Sequence, residues 1–135
     1  MTRDEVNGIL QQHPRLNFGG YGLGRGERKL SPSERMGKID GLRAHLLDDE
    51  SIAQIGKVCD WINANLEMQK TTNLRMSSYG LKHVVEKEIG YVSNGQFIVS
   101  ALLCGYCIGK VDYNVFFNIK QSSIKRTCKK VGYGC

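Results

Sequence analysis

The feature that most restricts this chain lies between residues 93 and 108. Ser93-Asn94-Gly95-Gln96 is a helix start signal, with Ser at the N-cap and Gln three residues on. Phe97 to Ile108 is then apolar on almost every side. A helix of that kind has no face for water and must be buried, not amphipathic. It needs partners, and 135 residues supply one domain's worth of them.

The partners are legible as helices. Thr2-Arg3-Asp4-Glu5 forms a capping box, Val6, Ile9 and Leu10 follow at helical spacing, and Pro14 closes the element, which predicts a helix over about 3–12. Ser31-Pro32-Ser33-Glu34 restarts order, and Met36, Ile39, Leu42, Leu46 and Leu47 give a stripe to about residue 47, weakened by Gly37 and Gly41. Asp48, Asp49 and Glu50 suit a helix start. Ile52, Ile55, Cys59, Ile62 and Leu66 then recur at spacings of 3, 4, 3 and 4, the clearest helical pattern in the chain. Leu81, Val84, Val85 and Ile89 mark a helix over 78–89, stopped at Gly90.

Two segments read otherwise. Residues 17–30 hold five glycines (19, 20, 22, 24 and 26) and read as a loop without helix or strand. Residues 111–119 are rich in β-formers, and a short strand is expected near 113–119. The expectation is a mainly α, single compact domain, 1–135, of about five helices, with that strand and a basic C-terminal tail over 120–135. Its core should contain Met36, Ile39, Leu46, Ile55, Ile62, Val85, Ile98, Leu102 and Phe117.

Charge is unevenly spread. Residues 1–68 carry nine Lys/Arg and ten Asp/Glu, whereas 69–135 carry ten Lys/Arg and three Asp/Glu, so the second half holds +7. Such asymmetry points to an anionic partner: nucleic acid, an acidic protein surface or a membrane face. No apolar run approaches a membrane span. The opening residues lack the layout of a signal peptide, so a cytoplasmic location is expected.

Familiar chemistries find little support. Cys104-Gly105-Tyr106-Cys107 resembles a disulfide-exchange motif, but it follows a helix body rather than a strand, and both prolines lie at 14 and 32. Two small apolar residues on a core helix is the better account. A zinc set from Cys104, Cys107, Cys128 and Cys135 has the wrong spacing. Five cysteines without a secretory signal favour free thiols. The Gly20-x-Gly22-x-Gly24-x-Gly26 run lacks the strand before it that a phosphate loop requires. Tyr21, Arg25, Arg28 and Lys29 could instead form an arm that contacts nucleic acid, against the plainer reading of a mobile loop. A helix-turn-helix over 81–101 fails at Glu86, which stands where a small residue usually lets the helices cross, and its second helix lacks base-reading side chains. An αα-hairpin fits better. No GxSxG, HExxH or paired-carboxylate signature appears, His13 and His45 have no evident partners, and no catalytic residue, metal or cofactor is expected.

The binding candidates are therefore electrostatic. Lys70, Arg75, Ser77, Ser78, Tyr79, Lys82 and His83 cluster before and within a helix N-terminus, where free N–H groups attract anions. Ser77 and Ser78 also suit plain capping. Lys120, Lys125, Arg126, Lys129 and Lys130 populate the tail without one acidic residue among them. The run SSYGLKHVVEKEIGYVSNGQFIVSALLCGY followed by FFNI resembles a segment of small uncharacterised proteins of phages and other mobile elements, over roughly residues 70–119. That resemblance implies action by binding inside a bacterial host and assigns no site residues. The expected function is a non-enzymatic binding protein that contacts DNA or RNA through its basic C-terminal half. The alternative is an inhibitor of a bacterial host protein, such as a defence or regulatory component.

Overall fold

A computed structural model describes all 135 residues. The apolar segment becomes helix α5, Asn94–Leu103, after the others in chain order: α1 (Arg3–Gln12), α2 (Pro32–Leu46), α3 (Asp49–Asn65) and α4 (Ser78–Ile89). Every residue of α5 from Asn94 to Ala101 is buried. The helix packs against α1, α3 and α4, most closely against α3. Removing a fully buried side chain such as Phe97, Ile98 or Val99 from water contributes about 1.5–3 kcal/mol each. The three helix starts read at Thr2, Ser31 and Ser93 all close as capping boxes: Thr2 with Glu5, Ser31 with Glu34, and Ser93 with Gln96.

α5 is shorter than the 94–108 expected. Gly105 takes a left-handed φ of +91°. Its N–H bonds to the Leu102 carbonyl while Tyr106 N–H reaches back to Ala101, at 3.0 and 3.1 Å. These paired bonds are the Schellman closure that ends helices at a left-handed glycine. Apolarity alone hid the stop. Cys104 and Cys107 are thus not core-helix residues: Cys104 caps α5 and is half-buried, and Cys107 is exposed.

The β-formers make an antiparallel hairpin, β3 (Ile108–Val111) and β4 (Val115–Phe117), wider than the single strand expected. The connector before α4 runs along it, with Asn73 N–H on the Phe117 carbonyl at 2.8 Å and Gln69 N–H on Asn118 at 3.0 Å.

The glycine segment is also corrected. It contains a two-residue hairpin, β1 (Leu16–Asn17) with β2 (Gly20–Tyr21), and a 3₁₀ helix, Gly24–Lys29. Side chains supply the order that the glycines cannot. Buried Asn17 donates from Nδ2 to the Arg15 and Gly22 carbonyls and accepts from Gly19 N–H. Arg43 of α2 donates to the carbonyls of Leu10, His13, Pro14 and Leu16 at 2.7–2.9 Å, tying the end of α1 to β1. Gly95 is required as well: a Cβ there would strike the Asn17 carbonyl.

The expected tail is a helix, α6 (Gln121–Val131), whose Ser123, Ile124, Thr127 and Cys128 are buried. A disulfide joins Cys128 to Cys135, correcting the expectation of five free thiols; Cys59, Cys104 and Cys107 remain free. The helix count is six α-helices and one 3₁₀ helix rather than about five.

Of the expected core, Leu46, Ile55, Ile62, Val85, Ile98 and Phe117 are buried. Met36 is 67% exposed, and Ile39 and Leu102 are only half-buried. α2 fully buries only Leu46; Ile39 and Leu42 are half-buried, so its apolar stripe is only partly covered. Both histidines have partners after all: His13 Nδ1 lies 2.8 Å from the Tyr21 hydroxyl, and His45 Nδ1 2.6 Å from Asp48.

Candidate nucleic-acid interface

The sequence candidates separate into two groups. Lys120, Lys125, Arg126, Lys129 and Lys130 lie on or at the start of α6, opposite the face that buries Ile124 and Cys128. All five are exposed. Helical spacing sets Lys125 and Lys129 one turn apart, on the same side. Lys70 and Arg75 belong to the same region. Their connector is fixed beside the start of α6, because Asn73 Nδ2 donates to the Ile119 carbonyl and to Gln121 Oε1, at 2.9 and 2.8 Å.

The surface is partly neutralised. Glu67 accepts from Arg126 at 2.5 Å and lies 3.8 Å from Lys120. The Arg126 hydrogen bond and charge hold the Glu67 carboxyl below the usual carboxylate range. Lys130 lies 3.5 Å from Glu88 and donates to Asn65 Oδ1 at 2.6 Å. Lys125 and Lys129 have no acidic partner within ion-pair distance, so five cations face two carboxylates. Lys129 and Lys130 also complement the C-terminal end of the α6 dipole, a stabilising role that needs no ligand.

The second group, on α4, is engaged internally. Lys82 is 7% exposed, and its ammonium lies 3.3 Å from Glu86 beneath the rings of Tyr79 and Tyr91. His83 Nδ1 sits 2.9 Å from the same carboxylate, and its ring meets Tyr79 edge-on. Burial works to raise the Glu86 pKa, yet the Val92 N–H and the Lys82 charge outweigh it and hold the carboxyl below its ordinary value. Lys82 is therefore a buried, paired cation and not an open anion contact. Ser77 occupies the N-cap of α4 without a side-chain bond, and Ser78 is buried, accepting from Val115 N–H at 3.1 Å. Neither serine caps the helix through its side chain.

Glu86 explains itself here. The residue that argued against a helix-turn-helix pairs with Lys82, lies within hydrogen-bond distance of His83 Nδ1 and accepts the Val92 N–H at 3.0 Å, fixing the turn from α4 to α5.

One basic surface was legible only in part, through Tyr21, Arg25 and Arg28 of the arm considered above. Arg15, Arg25, Arg28 and Arg35 line a cleft of about 850 Å³ between the 3₁₀ helix and the turn joining β3 to β4. Tyr21, Glu27, Asp112, Tyr113 and Asn114 complete most of its wall. The charge split by halves hid it, since all four arginines lie in the acidic first half. Their recurrence at 15, 25, 28 and 35 around a glycine run is the signal that could have found it.

No group of three or more His, Cys, Asp or Glu side chains is placed to hold a metal ion. Cys104 stands at the C-terminal end of α5, the reverse of the helix N-terminus that activates thiols in disulfide exchange. The Cys59 thiol is pushed up by its contact with Cys104 and by burial. No helix is long and apolar enough to cross a membrane. No family model matches the sequence, and no curated protein or solved structure matches it significantly.

Proposed function

We propose that the protein is a non-enzymatic binder of nucleic acid, of the kind encoded by phages or mobile elements. It engages phosphates through the solvent face of α6 and the adjoining connector. One observation carries this reading: four exposed cations on α6, with Lys120 at its N-cap, are opposed only by Glu67 and Glu88. Charge is what that face offers, so phosphate contacts supply most of the affinity and little sequence discrimination.

The test is fluorescence anisotropy with labelled duplex DNA, single-stranded DNA and RNA at two salt concentrations. Five phosphate contacts should cost a duplex about 500-fold in affinity between roughly 50 and 200 mM salt, and a single strand about 100-fold. Charge reversal at Lys125, Arg126 and Lys129 should abolish binding at the higher salt. Unchanged affinity in that variant, or no binding at low salt, rejects the reading.

A second reading, capture of a bacterial host protein, is favoured by the exposed aromatic pair Tyr79 and Tyr91 on either side of Lys82. Tyrosine is enriched among the residues that anchor protein interfaces. A stoichiometric host protein recovered from lysate after nuclease treatment, and lost on Tyr91→Ala, supports it.

A further inference from the structure

We propose that the arginine-lined cleft is a binding site for a small phosphorylated ligand, one carrying a dianionic phosphomonoester or diphosphate group. This site is separate from the α6 surface and does not depend on it.

The argument begins with charge. Four guanidinium groups and two carboxylates, Glu27 and Asp112, line the cleft, leaving it with +2. Glu27 is fully committed: both its oxygens accept from Arg15 Nη2, at 2.6 and 2.7 Å, and that hydrogen bond holds the carboxyl below its usual range. Asp112 accepts the N–H of Tyr113 at 2.8 Å. Arg35 spends its Nε on the Leu30 carbonyl at 3.1 Å, which leaves the far edge of its guanidinium free. Arg25 and Arg28 make no ion pair. Three arginines thus present donor edges to one concavity. A concave wall of one sign concentrates the field, and planar guanidinium forks match phosphate oxygens two at a time. A monocarboxylate would leave the cleft at +1, whereas a dianionic phosphate balances it.

Size and rigidity agree. The volume exceeds what a lone phosphate fills and falls within the range of sites for nucleotide-sized molecules. The wall is preformed. Tyr21 N–H bonds to the Tyr113 carbonyl at 2.9 Å, joining β2 to the hairpin turn. Gly24, at a φ of +73°, lets the 3₁₀ helix begin against the Tyr113 ring. Asn114 is braced from behind by Asn94 Nδ2 at 2.9 Å. A glycine-rich segment held this firmly, with its arginines unpaired, suits a ligand contact better than a mobile arm.

Isothermal titration at low salt, using inorganic pyrophosphate and a 5′-mononucleotide as probes, tests the proposal. Saturable one-to-one binding of either is expected. The Arg25→Gln, Arg28→Gln double variant should lose about tenfold or more per arginine. Both side chains are exposed and unpaired, so the melting temperature should not change. The Lys125→Gln, Lys129→Gln variant should bind the probes like the parent, which separates this site from the nucleic-acid surface. Glu27→Gln removes a negative charge and frees Arg15, and should tighten pyrophosphate binding several-fold. No saturable binding by the parent at millimolar probe would overturn the proposal. So would unchanged binding by the double arginine variant, or binding lost with Lys125 and Lys129 instead.

Discussion

Arg43→Met tests a side chain that ties the end of α1 to β1. Arg43 bonds four carbonyls, those of Leu10, His13, Pro14 and Leu16. Three of the four acceptors face Nη1, which has two hydrogens, so about three full charge-assisted bonds are at stake. Such bonds are worth about 1.5–3 kcal/mol each when the acceptor cannot rehydrate. The Pro14 carbonyl bond is at the surface and regains water; the other three are half-buried and regain it in part. Methionine keeps most of the apolar stem, so packing loss is minor. The expected destabilisation is about 3 kcal/mol, which for a domain of this size lowers the melting temperature by about 10–15 °C. Urea unfolding at neutral pH, followed by the fluorescence of Trp61, the single tryptophan, measures it. Arg43→Lys should recover less than half, because one ammonium cannot span acceptors that a planar fork reaches together. A loss below about 1 kcal/mol, or full recovery with lysine, would falsify the clamp and leave Asn17 as what orders the glycine segment.

Four further outcomes follow from the contacts described. Glu86→Gln leaves the buried Lys82 ammonium unpaired and should cost about 2–4 kcal/mol in urea unfolding, more than the Lys82→Met, Glu86→Leu double replacement. Gly95→Ala should cost several kcal/mol or block folding, read by circular dichroism, since its methyl group collides with backbone at Asn17. Cys135→Ser opens the short Cys128–Cys135 ring and should cost about 2 kcal/mol, a loss that a reducing agent reproduces in the parent and not in the variant. Acid should destabilise the protein in two stages. Burial lowers the His13 pKa, so the unfolded chain takes that proton first and stability declines as pH drops below about 6.5. The depressed carboxyls of Glu34, Glu67 and Glu86 act in the same direction below about pH 4.3. His13→Gln should remove the upper stage alone in unfolding curves taken across pH.

Helices were readable where a local signal and an apolar period coincided. Ser93 and Gln96 fixed the start of α5, and the spacing from Ile52 to Leu66 fixed α3. The end of α5 was not readable in the same way, because Gly105 lies inside an apolar run and acts through backbone conformation. The glycine segment was misread for the opposite reason. Its order comes from Asn17 and from Arg43, the latter more than twenty residues away, and glycine density says nothing of either. The stripe of α2 misled because the period reports a face without saying that anything covers it, and Met36 is open. Among the candidate residues, the α6 cations were legible as charge, whereas the pairing of Lys82 with Glu86 depended on burial that only the packed helix creates.

The central position of α5 sets the order in which this chain can fold during translation. Residues of α1, β2 and α3 all close on a helix that leaves the ribosome well after them. Synthesis from the end of α1 to the end of α5 takes on the order of 5–20 s at about 5–20 residues per second. Val6 and Leu10 wait through that whole interval, and Ile55 and Ile62 through its later half, without the surface that buries them in the finished protein. Truncation before residue 103 should yield a chain that aggregates rather than a smaller stable domain.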